Sequence, residues 1–248
     1  MAQATAKPAK PDYGLDAPNI VKRMVSRGVW TLVVGLAVFF VNRNQYPGPS
    51  GALIGVLGAI AGVFFLVAGI MVWSSRVAKL QVRDRLLDAL EISDDNRVLD
   101  VGCGRGLMAI GAAKRLKTGK ATGVDIWSSA DLSGNSAEAA KENAKLEGVA
   151  DRVRIENCDA RKLVYPDNHY DVVVSSLCVH NISDRAGRDE AVKEMWRVLK
   201  PGGRLAIFDL FHAGRYAEVL RECGVSDVRL SPWGFLWCLP TRSVMARK

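Results

Sequence analysis

The distribution of apolar residues divides the chain into two unlike parts. Residues 51–73, GALIGVLGAIAGVFFLVAGIMVW, run for twenty-three positions without a charge. As a helix they would extend about 34 Å, enough for a bilayer core. Residues 28–41, GVWTLVVGLAVFFV, are a shorter apolar run of fourteen. They reach only about 21 Å, and cross if Arg27 snorkels at one end. The nine residues NRNQYPGPS then form a turn between two antiparallel spans. A late start and the lack of a small-residue cleavage site argue against a signal peptide. After residue 76 the pattern changes to alternating strand-like and helix-like segments.

VAKLQVRDRLLDALEI spaces its leucines as an amphipathic linker helix. Strand-like runs follow at Arg97–Val101, Ala121–Asp125, Val153–Asn157, Tyr170–Ser175 and Arg204–Asp209. Between them lie helical patterns at Leu107–Leu116, Ser136–Glu147 and Asp189–Leu199, the second with Asn135 as its expected N-cap. Such alternation predicts an α/β fold, a doubly wound, mostly parallel sheet covered by helices on both faces. Its ligands bind at the carboxyl ends of the strands. The expected units are a flexible segment over 1–23, a transmembrane hairpin over 24–75, a linker helix over 76–96 and an α/β domain over 97–248.

Charge bears on topology. The net charge is +8, yet residues 1–90 hold ten Lys/Arg against four Asp/Glu and the remainder twenty-four against twenty-two. The excess flanks the apolar runs, so a phosphate-binding stripe and a nucleic-acid partner are not expected. Lys22, Arg23 and Arg27 precede the first run; Arg76, Lys79, Arg83 and Arg85 follow the second; only Arg43 lies between. The positive-inside rule puts both termini and the α/β domain in the cytoplasm. Gly51/Gly55 and Gly58/Gly62 each form a G-x-x-x-G, which suits close packing inside the hairpin or a homo-oligomer through it. Five unpatterned cysteines suit reduced, mostly packed thiols rather than disulfides, and no metal site is expected.

The chemistry concentrates at VLDVGCGRG, residues 98–106. A strand runs into Gly102, Gly104 and Gly106 and then into a helix, so the backbone can turn sharply and let a ligand approach. Asp125 closes the next strand, where an acidic group can hold both hydroxyls of an adenosine ribose. The spacing is not the G-x-G-x-x-G of dinucleotide binding. Asp100 lies two residues before the first glycine and would repel a pyrophosphate at the helix N-terminus. It suits the ammonium group of an amino-acid-bearing cofactor such as S-adenosylmethionine.

VLDVGCGRG, GVDIW, ENCDARKL, YDVVVSSLCVHNI and VLKPGGRLAIFDL together resemble the ordered motifs of class I S-adenosylmethionine-dependent methyltransferases of the small-molecule type. The resemblance covers residues 80–248 and implies a Rossmann-like seven-stranded sheet. It implies that Asp100, Gly102, Gly104 and Gly106 line the methionine and ribose portion of the cofactor. Asp125 would hold the ribose, Ile126 the adenine face, and Asp159 with Ala160 the adenine edge. Ser175 and Ser176 would lie near the sulfonium. His180, after the fourth strand, is the candidate base, and Trp127, Asp131 and His212 are candidate acceptor contacts. His169 is expected in a solvated turn. Trp233, Phe235 and Trp237 could form an apolar lip, and Tyr13 part of a cover over a site near the membrane. The motifs of nucleic-acid amino-methyltransferases and the cysteine arrangement of arsenite methyltransferases are missing. These expectations describe an enzyme acting on a small, lipophilic acceptor; the alternative is a non-catalytic membrane scaffold that retains the fold.

Overall fold

The computed structural model describes residues 10–128, 130–236 and 239–248. The first apolar run lies within α1 (Pro18–Asn42) and the second within α2 (Pro47–Trp73). Both are long and apolar enough, by length and composition, to cross a bilayer. The turn between them is shorter than expected, because Pro47 sits in the first turn of α2, where its missing N–H costs nothing and its fixed φ suits a helix. The helices meet along a seam of small residues. A Cβ on Gly28 would lie 2.9 Å from the Phe65 ring, and one on Gly35 would lie 3.2 Å from Leu57. The G-x-x-x-G glycines of α2 do not make this seam: Gly51, Gly55, Gly58 and Gly62 have open space where a Cβ would stand.

The expected flexible segment over 1–23 and separate linker over 76–96 need correction. Residues 1–9 lie outside the described part. Residues 10–17 form an ordered strap, and α1 begins at Pro18. Asn143 on α5 (Ala137–Leu146) accepts from the Asp12 N–H at 2.9 Å and donates to the Asp12 carbonyl at 2.8 Å. The Tyr13 hydroxyl donates to Glu147 at 2.8 Å, and Asp16 bridges Leu132 antiparallel. These anchors explain the order, since several backbone groups of the strap have partners fixed on the domain. Nor does a linker separate α2 from the domain. A π-helical stretch, Ser74–Ala78, passes without a break into α3 (Lys79–Ala89).

Lys79 joins these parts. Its ammonium is buried and donates to the Tyr13 carbonyl at 2.9 Å, to the Gly14 carbonyl at 2.8 Å and to Asp16 at 3.4 Å. Burial pushes the Lys79 ammonium down and the Asp16 carboxyl up, and the charge of each opposes the other's shift. Lys79 is therefore not an interfacial charge beside Arg76, as the charge pattern suggests.

The sheet follows the order β3-β2-β1-β4-β5-β8-β6, with β7 paired to β8 off this path. The strands are β1 (Arg97–Val101), β2 (Lys120–Asp125), β3 (Val153–Asn157), β4 (Tyr170–Ser176), β5 (Leu199–Leu210), β6 (Val228–Leu230), β7 (Gly234–Leu236) and β8 (Leu239–Arg247). Seven strands on the path fulfil the expected architecture, and the short β7 is an addition to it. β1 to β5 are mutually parallel, whereas β8 runs antiparallel to β5, Leu205 facing Ala246. Val98, Leu99, Val172, Val173 and Val174 are fully buried, as a sheet covered on both faces requires. α4 (Leu107–Ala113), α6 (Arg185–Val198) and α7 (Ala213–Glu222) supply covering layers. Ser136, not Asn135, caps α5, accepting from the Ala139 N–H at 3.1 Å; the Asn135 amide is turned to Asp125 and Ser128 instead.

Replacing Lys79 by Met should release the strap. Two carbonyls lose their donor and Asp16 its counter-charge, a local cost of about 3 kcal/mol. Limited proteolysis should then cut within residues 10–17 of the variant well before it cuts the parent chain. Equal protection in both would mean that Lys79 does not hold the strap.

Candidate active site

A cavity of about 360 Å³ lies at the carboxyl ends of β1, β2 and β4. Here the strand order turns from β1 outwards in both directions, the usual ligand crevice of an open α/β sheet. Its floor is the turn after β1. Gly102 has φ of +76° and Gly104 of +53°, a region in which a side chain is strained. At Gly102 space excludes a side chain as well, since a Cβ there would lie 2.0 Å from the Cys178 sulfur.

Two carboxylates organise this turn. Asp125 ends β2; its Oδ2 accepts from the Gly104 N–H at 2.8 Å and its Oδ1 from the Trp127 N–H at 2.6 Å. It thus ties the glycine turn to the loop after β2, with its carboxyl group on the cavity wall. Asp100 is buried beneath. One oxygen accepts from the Ala109 N–H of α4 at 2.8 Å, while Oδ1 has no partner. Burial, above all, and the nearby Asp125 push the Asp100 carboxyl up to about 8. Asn135 Oδ1 is a second buried acceptor without a donor, on the same wall.

The sequence-derived residues divide by position. Gly102, Gly104, Asp125, Ile126, Asp131, Asp159, Ala160 and Ser176 line the cavity. Gly106 starts α4 with φ of +87° and packs against Ile110 rather than the cavity. Arg161 holds Asp159 at 2.6 Å, which keeps that carboxyl below its ordinary value. Besides Gly106, five residues expected at the ligand lie off the cavity wall. Trp127 has positive φ and its indole N–H is turned to Asn157 at the end of β3, so it does not line the cavity. Ser175 is buried and donates to the Val101 carbonyl at 2.8 Å, a sheet-internal bond that removes it from the ligand. Asp100, His180 and His212 are likewise absent from the wall, Asp100 lying buried beneath the glycine turn, although Cys178 and Asn181 beside His180 are on it. His169 stacks on Tyr165, away from the cavity. Trp237 lies outside the described residues.

His180 has an environment that its sequence context did not disclose. Its Nδ1 pairs with Asp209 at the end of β5, a fully buried carboxylate. Asp209 also accepts from the His180 backbone N–H at 2.9 Å, the Leu210 N–H at 2.9 Å and the Tyr216 hydroxyl at 3.0 Å. An acceptor-only carboxylate among these donors takes the Nδ1 proton and leaves Nε2 as the outward ring nitrogen. Burial, with the charge of Arg188, pushes the adjacent His212 down. The reading of the sequence missed Asp209, Lys79, Asp16, Cys178 and Asn135. Only the position of Asp209, at the carboxyl end of a strand, could have pointed to it.

Residues 98–203 match a family described as a methyltransferase domain. The methyltransferase GfsG of Streptomyces halstedii is 35% identical over 139 residues, 56% of this chain and 46% of that protein. Residues 98–203 are a methyltransferase domain. The ubiquinone/menaquinone biosynthesis C-methyltransferase UbiE of Pseudomonas fluorescens is 36% identical over 114 residues, 46% of this chain and 41% of that protein. The chain thus spans less than half the length of these relatives. Among solved structures, a SAM-dependent methyltransferase from Aquifex aeolicus superposes with a TM-score of 0.52 at 20% identity, over 66% of this chain and 88% of that one. At that identity the likeness concerns the fold.

The cofactor of this family is S-adenosylmethionine, and the residues present fit it. The glycine turn leaves no room for a Cβ, and the Asn135 oxygen on the wall and the Asp100 oxygen beneath it are buried acceptors without a donor, which an ammonium group would satisfy. Between the ordinary carboxylate value and about 8 the folded chain keeps a proton on Asp100 that the unfolded chain has released. Stability from this group therefore falls as pH rises across that window. An arriving ammonium favours the ionised carboxylate, so S-adenosylmethionine binding should release a proton and tighten as pH rises towards 8. Calorimetry in buffers of different ionisation enthalpy measures that release. Asp100→Asn should abolish it; an unchanged release in that variant would remove Asp100 from the ligand.

Proposed function

We propose that this protein is a membrane-anchored methyltransferase that transfers the methyl group of S-adenosylmethionine to a small, lipophilic acceptor. The observation that carries the reading is the buried, unpartnered Asp100 oxygen beneath a glycine turn that Asp125 holds open to the cavity. S-adenosylmethionine supplies an electrophilic methyl group on a sulfonium, and transfer is an in-line displacement governed by positioning and exclusion of water. Asp100 takes the ammonium, Asp125 the ribose hydroxyls, Ile126 the adenine face, and Asp159, once its grip on Arg161 loosens, the adenine amino group. Ser176 and Asp131 face the acceptor side of the cavity. Tyr13 and Asp16 close one wall, so the strap covers the site as well as holding the anchor.

An acceptor that must lose a proton needs a base, and His180 is assigned to it: it stands behind the cavity wall next to Asn181, with its ring held through Nδ1 by Asp209. Asp209 fixes its tautomer and stabilises the imidazolium that forms. α1 and α2 cross the membrane, with both termini and the domain on the cytoplasmic side. The lipophilic class of the acceptor draws support from the relatives, one named for ubiquinone and menaquinone biosynthesis and another a sterol 4-C-methyltransferase of Caenorhabditis elegans. The outward glycines of α2 offer a second copy a close approach within the bilayer.

Asp125→Ala should weaken S-adenosylmethionine binding by about 2–3 kcal/mol, since it removes a bidentate, charge-assisted contact; unchanged affinity in a folded variant rejects the site. His180→Ala should lower kcat by about 10²–10⁴ with cofactor affinity retained. Full turnover without His180 rejects the base. For orientation, Gln45 and Arg76 are both exposed, whereas Ser50 and Ser74 are buried. A cysteine at Gln45 should react with an impermeant thiol reagent from outside the cell, and one at Arg76 should not. The opposite pattern would invert the topology.

A further inference from the structure

The cavity end of the domain is also the end from which both apolar helices depart. α3 starts at Lys79 on the cavity wall and ends at Ala89, from which a short loop leads to the amino end of β1. α3 therefore runs away from the cavity, and α2, continuous with it, leaves on the cavity side. The strap gives the same direction by a separate path. Asp16 bridges Leu132 in the loop after β2, at the carboxyl end of that strand, and α1 starts at Pro18. One apolar cluster extends from Ala68 and Met71 of α2 through Tyr13 to Phe208 and Leu236 at the cavity.

Large apolar side chains stand exposed at this same end. Phe211 follows β5, and Trp233 and Phe235 belong to β7 and its approach. The register shows how far the β7–β8 hairpin extends: Leu210, the last residue of β5, pairs with Thr241, but Phe235 pairs with Pro240 and Leu236 with Leu239. The hairpin thus continues past the end of β5 towards the side of α1 and α2. Phe235 is 75% exposed and Trp233 55%, while Leu236, pointing to the other face of the strand, lines the cavity. The Arg242 guanidinium lies 4.9 Å from the Trp233 ring centre. Exposed aromatics beside an arginine are the composition of a membrane–water interface.

We propose that this face, carried by Phe211, Trp233 and Phe235, rests in the headgroup layer of the membrane that α1 and α2 cross. An apolar acceptor then passes from lipid to the cavity alongside Leu236 without entering water. The inference rests on the membrane-anchored reading above. Two spans fix the domain against the bilayer, so the aromatic contact is intramolecular in effect and needs little affinity of its own.

The test places a solvatochromic fluorescent amino acid, one position at a time, at Leu66, Phe235 or Lys117 of the full chain. Leu66 is exposed along α2, and Lys117 lies in the loop before β2, at the opposite end of the sheet. The protein is reconstituted in vesicles of phosphatidylcholine with a minority of phosphatidylglycerol, doped with nitroxide lipids. A chain-terminal nitroxide should quench the Leu66 probe. A headgroup-proximal nitroxide should quench the Phe235 probe several-fold more than the Lys117 probe. If Leu66 is quenched and Phe235 responds no more than Lys117, the anchor stands and the interfacial face is refuted. If Leu66 is not quenched, the anchor itself falls and this inference with it. Equal shielding of the Phe235 probe in detergent without lipid would point to a protein occupant and overturn the assignment to lipid.

Discussion

The ammonium of Lys79 is the point on which the two halves of this molecule depend. It lies on the helix that continues α2, it donates to two strap carbonyls, and it forms part of the cavity wall. A buried cation is tolerable only with such partners. Its presence therefore fixes three things together: the strap must lie across the domain, α1 must start beside α2, and the cavity must be closed where they meet. With a neutral residue there, the strap carbonyls would seek water and the cover of the site would loosen.

Asp125 plays the corresponding part inside the domain. Without ligand it spends its lone pairs on the Gly104 and Trp127 N–H groups and so holds two carboxyl-end loops in register. Asp100 differs because half of its carboxylate has no partner. One acid builds the turn, and the other keeps a buried oxygen without a donor.

The fold and the cradle were legible in the sequence because both rest on local rules. Strand-to-helix alternation gave the parallel sheet, and Asp-x-Gly-x-Gly-x-Gly gave the cavity floor with Asp125 beside it. Ser175 and Trp127 were misplaced for a local reason too. Ser175 and Ser176 are adjacent, and the alternation of a strand sends one to the cavity and the other into the sheet; choosing between them needs the register. Trp127 takes a positive φ that its residue type does not announce. The strap was illegible because its order comes from Asn143, Glu147, Ser133 and Lys79, all remote along the chain. The same distance hid the pairing of His180 with Asp209.

The π-helical stretch between Trp73 and Lys79 has a geometric consequence. An α-helix turns about 100° with each residue, and a π turn holds one residue more than an α turn. In Ser74–Ala78 the Lys79 N–H reaches back to the Ser74 carbonyl, five positions away. The stretch therefore acts as a phase shifter between two faces of one continuous rod: the outward-facing glycines of α2 and the inward-facing Lys79. Loss of a single residue from it would leave α2 and α3 each intact but would swing the domain by about a quarter turn about the rod. The azimuth of the cavity end relative to α2 is thus written in the count of residues across one turn of helix.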